Sequence, residues 1–477
     1  MKLEEILGKE EAQKAALLAL SPLDGRYSGI AEELRDYFSE YALIKYRVKV
    51  EIAWLDYLLT HVSDPAIVNQ SHIYIRYKEQ IKSIAEAFNL NDALRVKEIE
   101  GKTKHDVKAV EYFIAEKIKK LADGLERPEL KTLISLVHIG CTSEDINNVA
   151  YALMIKDARK EVYIPALNNL IELVGNLAID FNMLPMLART HGQPAIPTTL
   201  GKEYEVYRYR LSYIAAQLDD FDIAKFNGAT GNYSAISVAF PNENWMKKNQ
   251  EFIESLGLKF NPVTTQIESH DGVCQMLDLI KHINRIILNL DVDKWMYISN
   301  EYFKQLVVKD EVGSSTMPQK VNPIKFENSE GNCYISNGLI EGITQKLLRT
   351  RWQRDLSDST VQRNIGMAMG YSLQAIKETL AGLKRCSVNV EKIAADLDQN
   401  WSVLAEPIQT MLRKYGDPDA YDKLKAATRG KKMTKEDIHA FVNDLTQLSD
   451  EDRSKLLNLT PSTYIGLAAN IVEEEYY

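Results

Sequence analysis

The stretch HDVKAVEYFIAEKIKKL, residues 105–121, places Val107, Val110, Ile114, Ile118 and Leu121 at spacings of three and four. One apolar stripe on that period marks an amphipathic helix. Residues 30–64, 203–227 and 273–312 carry the same message at greater length, since none contains the proline or glycine that would break a helix. In residues 273–312 the apolar side chains Met276, Leu277, Leu279, Ile280, Ile283, Ile286, Ile287 and Leu288 leave little polar surface. A helix of that kind is buried, either inside a bundle or between subunits. Alternating strand patterns with tight Asn-Gly or Asp-Gly turns are scarce. The fold class is therefore all-α: three helical domains around a central bundle of long helices.

We divide the chain at about residues 125 and 384: an N-terminal helical domain at 1–125, the long-helix bundle at 126–384 and a C-terminal helical domain at 385–477. The last segment has short capped helices of its own, signalled by TKED at 434–437 and SDED at 449–452. Hydrophobic content of 45% and charged content of 26% suit a soluble globular protein of 477 residues. A formal charge of -9 argues against nucleic acid as a partner, although a local cluster of Arg and Lys still accommodates an anionic ligand. Cys141, Cys274, Cys333 and Cys386 form no CxxC pair and read as reduced thiols. The first residues show no signal-peptide pattern, and no uninterrupted apolar run reads as a membrane span, so the expected location is the cytoplasm. No His/Asp/Glu spacing reads as a metal-ligand set, and neither a metal nor a cofactor is expected.

The helical pattern is broken by polar stretches richer than a turn requires. In SPLDGRY, residues 21–27, Asp24-Gly25 makes a turn that presents Arg26 and Tyr27. In KTKHDVKAVEYF, residues 102–113, His105 stands at a helix start, where it is either a cap or a ligand. In CTSEDINN, residues 141–148, Thr142 and Asp145 have capping-box spacing. The Thr142 and Ser143 hydroxyls and the free N–H groups of that helix start either cap the helix or receive a carboxylate. In RTHGQPA, residues 189–195, His191 precedes Gly192 and Pro194 on a constrained turn. An imidazole there suits proton transfer near neutral pH, and a structural use is also open. In RWQRDLSDSTVQRN, residues 351–364, Ser359 and Arg363 share a helix face and with Arg354 form either a phosphate site or a solvated charged face.

The stretch GSSTMPQKVNP, residues 313–323, is the most unusual. Asn322 and Pro323 read as N-cap and first residue of a helix, so Lys320 and the positive helix end favour an anion such as a carboxylate. Ser314 and Ser315 lie beside Gly313, and no side chain near them in sequence can take a serine proton.

These stretches together resemble the fumarase/aspartase superfamily, whose signature GSSxMPxKxNP is matched in full at 313–323. Within it the chain is similar to the longer bacterial adenylosuccinate lyase family over nearly its whole length, through SPLDGRY, HDVKAVEYF, CTSEDINN, RTHGQPA, TTQIESHD and RWQRDLSDSTVQRN. The resemblance implies a homotetramer with a common bundle core, active sites built from three subunits, and β-elimination of fumarate from two purine-pathway nucleotides. By the same resemblance Ser314 is the general base and His191 the general acid. Lys320 and Asn322, with Thr142, Ser143 and Gln266, are ligands of the succinyl carboxylates. Arg26, Tyr27, Arg354, Ser359 and Arg363 contact the nucleotide and its phosphate, while His105 and Asp106 contribute from a third stretch. Lys104 and Thr360 complete the implied substrate-binding set. Lys104 stands where the bacterial type often has Asn, Gln319 where it often has His, and Ile236 where a His is common. Rival readings are another lyase of the superfamily, such as argininosuccinate lyase, and a non-catalytic helical scaffold like the lens crystallins. The phosphate set argues against the first, and retention of His191, Ser314 and Lys320 against the second.

Overall fold

The computed structural model describes residues 3–219, 221–307, 316–317, 319–429 and 432–474. Helix dominates, and among the described residues strands occur only as three two-stranded ladders. The longest helices are Asp271–Ser299, Ile324–Leu347, Glu40–His61 and Ile365–Lys384. At 29 residues the first is about 44 Å long. Its buried positions Met276, Leu277, Ile280, Ile283, Ile287 and Leu290 form one stripe, and Val292, Trp295 and Met296 stay exposed.

The chain forms two compact units, each assembled from three stretches. The first comprises Met1–Ala166, Ala216–Asn284 and Gly331–Ala375. Its core is built on Glu40–His61, a helix capped by Ser39, whose hydroxyl accepts from the Ala42 N–H at 3.1 Å. Trp54 on that helix meets Phe226 and Phe252 with ring centroids 4.6 and 5.0 Å away, and its indole N–H donates to the Ile139 carbonyl at 3.1 Å. The stripe read at 105–121 lies on the helix Asp106–Gly124, where Val107, Val110, Ile114 and Ile118 are fully buried.

The second unit comprises Leu167–Ala215, Arg285–Glu330 and Ile376–Tyr477. It contains the antiparallel hairpin Pro185–Thr190 with Gln193–Thr199, and the ladder Phe303–Gln305 with Cys386–Val388. Its C-terminal helices pack on Trp401, Leu404, Ile408, Leu412, Ile438 and Val442. Thr434 and Ser449 cap the helices Lys435–Asn443 and Asp450–Leu457, as the TKED and SDED stretches foretold.

Two findings bear on the bulk reading. None of the four cysteines forms a disulfide. No uninterrupted apolar run is long enough to cross a membrane, yet the continuous helical run Ser143–Asp180 passes on length and composition alone. Reading only unbroken apolar runs missed it, since it is punctuated by polar residues. Glu144, Asp145 and Arg159 in this run are buried among protein groups, as in the core helix of a folded protein.

Within the second unit, Lys294 is buried with its Nζ 3.6 Å from the ring centroid of Tyr204, 4.6 Å from that of Phe303 and 5.6 Å from that of Tyr297. Burial, opposed by Cys386, Asp293 and Glu203, pushes its ammonium down to about 7. The folded-state value lies below the ordinary one. The penalty for the buried charge is therefore complete below pH 7 and fades as pH rises toward the unfolded value. Lys294→Met should accordingly raise stability by on the order of 2 kcal/mol at pH 6 and by less at pH 9. Thermal unfolding at the two pH values checks this, and equal gains at both would count against a charged, caged amine.

Candidate active site

The first unit gathers most of the candidate residues around one helix start. As Thr142 and Asp145 implied, a helix runs from Ser143 to Ala158, and the Thr142 N–H donates to Asp145 Oδ2 at 2.8 Å. The same carboxylate also holds a neighbouring loop. Its Oδ1 lies 2.7 Å from Nζ of the fully buried Lys225 and accepts from the Asn227 N–H at 3.0 Å. Asn227 then donates to Thr264 Oγ1 at 2.8 Å, and Gln266 donates to the Ala229 carbonyl at 3.1 Å. The loop carrying Gln266 is thus tied back to the helix start at Thr142.

A chain of charge-assisted hydrogen bonds runs on from Gln266. Arg354 donates to Gln266 Oε1 at 3.3 Å and to Glu144 Oε1 at 2.9 Å, and Asn147 donates to the same Glu144 oxygen at 3.0 Å. Arg47 donates to Asn147 Oδ1 at 2.8 Å and to Asp106 Oδ2 at 2.7 Å. Arg363 reaches Asp106 Oδ2 at 3.3 Å and Glu40 Oε2 at 2.6 Å. Guanidinium groups and carboxylates alternate along this chain, so each charge is answered. Burial pushes the Glu144 carboxyl up, and Arg354 works against that rise. Burial also acts to raise Asp106, but Arg47, the Val107 N–H and Arg363 outweigh it and hold Asp106 below the usual carboxylate range.

This arrangement separates the two candidate arginines. Arg354 is held by Glu144, whose side chain is only 2% exposed, and it orients Gln266. Arg363 is paired with Glu40 where both side chains are substantially exposed, 38% and 42%. An exposed pair of that kind contributes little, so an incoming anion can take the place of Glu40. Ser359 lies on the short helix Ser357–Gln362 just before Arg363, with Thr360 beside it and exposed.

His105 caps the helix Asp106–Gly124, its Nδ1 accepting from the Lys108 N–H at 3.2 Å. In the neutral ring this leaves the proton on Nε2, at an exposed position. Lys104 before it adopts a left-handed conformation, φ 55°, closing the preceding helix. The 21–27 stretch is a turn, as expected, with Arg26 exposed, and Leu23 and Tyr27 pack against Tyr371 and Met367. Ile236, where a His is common in the family, is buried over Gly140. A Cβ at Gly140 would meet its Cδ1 at 2.6 Å.

The other candidates belong to the second unit. His191 and Gly192 form the two-residue turn of the hairpin, with φ of 53° and 73°. Positive φ at both central positions is the type I′ pattern that matches strand twist. The imidazole is therefore aimed by a tight turn, and it makes no hydrogen bond or ion pair among the described residues. Lys320 is exposed, its N–H donating to the Met317 carbonyl at 3.0 Å. The helix after it starts one residue later than the sequence suggested, at Ile324, and the Pro323 carbonyl accepts from the Glu327 N–H at 3.3 Å. Pro323 is thus the capping position and Asn322 precedes it. Ser314 lies outside the described residues, as do Gly313, Ser315 and Pro318.

Sequence reasoning missed Glu40, Arg47, Glu144 and Asn147. It took the hydroxyls from CTSEDINN, but the acids and amides after them turn inward. Four polar residues within five positions, Glu144, Asp145, Asn147 and Asn148 around Ile146, opening an otherwise apolar helix were the signal. His138 was missed too. Its Nδ1 lies 2.6 Å from Oε1 of buried Glu51, and although burial lowers the imidazole pKa, Glu51 together with Glu111 and Asp145 outweighs it and the pKa is raised.

Comparison with known proteins adds the family. A model described as lyase matches residues 25–335, and one described as adenylosuccinate lyase C-terminal matches residues 350–465. The chain is 45% identical over 461 residues to adenylosuccinate lyase of Escherichia coli, covering 96% of this chain and 99% of that protein. It is 46% identical over 468 residues to adenylosuccinate lyase of Haemophilus influenzae, covering 97% and 99%. Among solved structures, fumarate lyase from Mesorhizobium sp. BNC1 superposes with a TM-score of 0.74 at 17% identity, covering 93% of this chain and 96% of that one. The 3-carboxy-cis,cis-muconate lactonizing enzyme from Pseudomonas putida does so at 0.70 and 18%, covering 92% and 95%. At such identities the likeness concerns the fold.

Removing one member of a buried ion pair strands the other. Asp145→Ala should therefore destabilise the protein by about 3–5 kcal/mol through uncompensated Lys225. Urea unfolding monitored by helical circular dichroism measures it, and a loss of under about 1 kcal/mol would show that the pair is not what holds the loop at Lys225–Gly228.

Proposed function

The chain belongs to the adenylosuccinate lyase family and is a lyase, and from that premise we propose that it releases fumarate from two nucleotides of purine biosynthesis. Adenylosuccinate would give AMP, and the succinylaminoimidazole carboxamide ribotide would give the aminoimidazole carboxamide ribotide. The observation that carries this reading is near-full-length identity to proteins named for the first substrate. The weakly paired Arg363 supports it as a place for a nucleotide phosphate.

The reaction is a β-elimination. A base takes the proton from the carbon beside a carboxylate, those electrons form the new carbon–carbon double bond, the C–N bond breaks, and the leaving nitrogen gains a proton. The C–H is weakly acidic, so the charge that spreads into the carboxylate must be stabilised. Lys320, Asn322 and the start of the helix Ile324–Leu347 suit that carboxylate, with Thr142, Ser143 and Gln266 as further ligands. Ser314 is the base and must itself be deprotonated, a state favoured by the Lys320 charge. His191 protonates the leaving nitrogen. Arg26, Tyr27, Ser359 and Arg363 hold the nucleotide, and Arg354 acts through Gln266.

The same proposal includes a cytoplasmic homotetramer, active sites shared between subunits, and three helical domains divided at about residues 125 and 384. Val206 on one long helix and Val292, Trp295 and Met296 on another are exposed in the single chain, as apolar side chains of a face covered by a partner helix would be.

Mixing the protein with adenylosuccinate and following the purine ultraviolet absorbance tests the activity, and no change on that substrate would overturn the reading. Ser314→Ala should abolish turnover while substrate binding stays near normal, and wild-type turnover would remove Ser314 from the base role. Arg363→Ala should raise KM by about tenfold or more and lower kcat far less. An unchanged KM would count against the phosphate assignment.

A further inference from the structure

In the second unit one carboxylate joins the two segments that lead to the proposed acid and the proposed base. Arg189 is two residues before His191 on the hairpin, and its guanidinium donates to Asp396 Oδ2 at 2.5 Å. Tyr302 stands immediately before the strand Phe303–Gln305, from which the chain runs on to the 313–323 stretch, and its hydroxyl donates to the same oxygen. Gln305 Nε2 on that strand in turn donates to the Val321 carbonyl at 2.8 Å.

The helix that supplies Asp396, Val390–Asp398, is itself fixed to the Tyr302 segment. The Asn389 N–H donates to the Tyr302 carbonyl at 2.8 Å, its side chain donates to the Glu301 carbonyl at 2.9 Å, and Lys392 pairs with Glu301 at 3.2 Å. On the other side, Asn400 donates to the Asp396 carbonyl at 2.6 Å. Asp396 is therefore held rigidly, and its side chain is 23% exposed. Burial and the Asp396 bond both hold the Tyr302 hydroxyl in its protonated, donating form. A charge-assisted bond on each side of one oxygen fixes two otherwise independent elements to one point.

We propose that Asp396 is a positioning residue that sets the His191 turn through Arg189 and the stem of the 313–323 loop through Tyr302. This rests on the proposed roles of His191 and Ser314. Small misplacements of reacting groups are costly in rate, so the effect falls on the chemical step more than on binding.

The test is Asp396→Asn, which keeps the shape and removes the charge, compared with Asp396→Glu, Arg189→Met, Tyr302→Phe and the pairwise combinations with Asp396→Asn, all assayed on adenylosuccinate. Asp396→Asn should lower kcat by about tenfold to a hundredfold with KM changed less than about threefold. Asp396→Glu should restore part of kcat. Adding Arg189→Met or Tyr302→Phe to Asp396→Asn should cost less than either costs alone, because all three act through one point. A kcat near wild type for Asp396→Asn, or losses that simply multiply in the double variants, would overturn the positioning role. A kcat loss matched by an equal loss of folded protein in thermal unfolding would also overturn it. Ser314→Ala and His191→Gln run alongside: if either turns over at wild-type rate, the assignment of base or acid fails instead, and the Asp396 variants report on positioning separately.

Discussion

A buried charged ammonium is costly unless an anion answers it, and Lys225 is answered by Asp145 at 2.7 Å with both side chains shut away from water. Much of the candidate site in the first unit depends on this pair. Asp145 lies in the first turn of its helix, where a negative charge also suits the helix dipole. Because one carboxylate caps the helix, neutralises Lys225 and receives the Asn227 N–H, the loop after Lys225 has little freedom. Thr264 and then Gln266 are attached to that loop, and Arg354 is attached to Gln266. Replacing such a pair by apolar side chains can be neutral for stability in general. Here it would also release the anchoring of the loop at Lys225–Gly228, which gives a physical reason for an ion pair in the core.

From Gln266 outward, the alternation of guanidinium and carboxylate governs what each arginine can do. A guanidinium clamped between buried acceptors, like Arg354, is a rigid part of the wall. One paired with an exposed glutamate, like Arg363, is held by a bond that contributes little. The two residues look equivalent in the sequence, and burial of their partners makes them different.

The helical architecture was legible because period and punctuation are local properties. The stripe at Val107, Val110, Ile114 and Ile118 needed only its own spacing to be read, and so did the caps at Thr142, Thr434 and Ser449. Candidate site residues could be named from the sequence where they stood in breaks between helices, as His191, Arg26 and Lys320 do. The buried partners of Arg354 and Asp106 could not. Arg47 and Glu144 lie inside helices, where a charged side chain ordinarily faces water, and only the packing of distant segments turns them inward. The helix start at Pro323 was missed by one residue because Asn-Pro is as good a cap signal as Pro-Ile is a beginning, and the choice between them depends on which carbonyl finds a donor. The run Ser143–Asp180 shows the opposite failure, since scattered polar residues hid how apolar it is as a whole.

The hairpin that carries His191 slips register between Leu187 and Arg189, where the second strand spends more residues than the first. A bulge of this kind turns a strand about its axis and re-aims what lies beyond it. The direction in which the imidazole points is thus encoded partly as a residue count, in a stretch that contributes no catalytic side chain. Gain or loss of a single residue at Ala195 or Ile196 would leave every active-site side chain in the gene and still swing the tip of the hairpin away. Over evolutionary time this stretch should accept exchanges of side chain far more readily than changes of length.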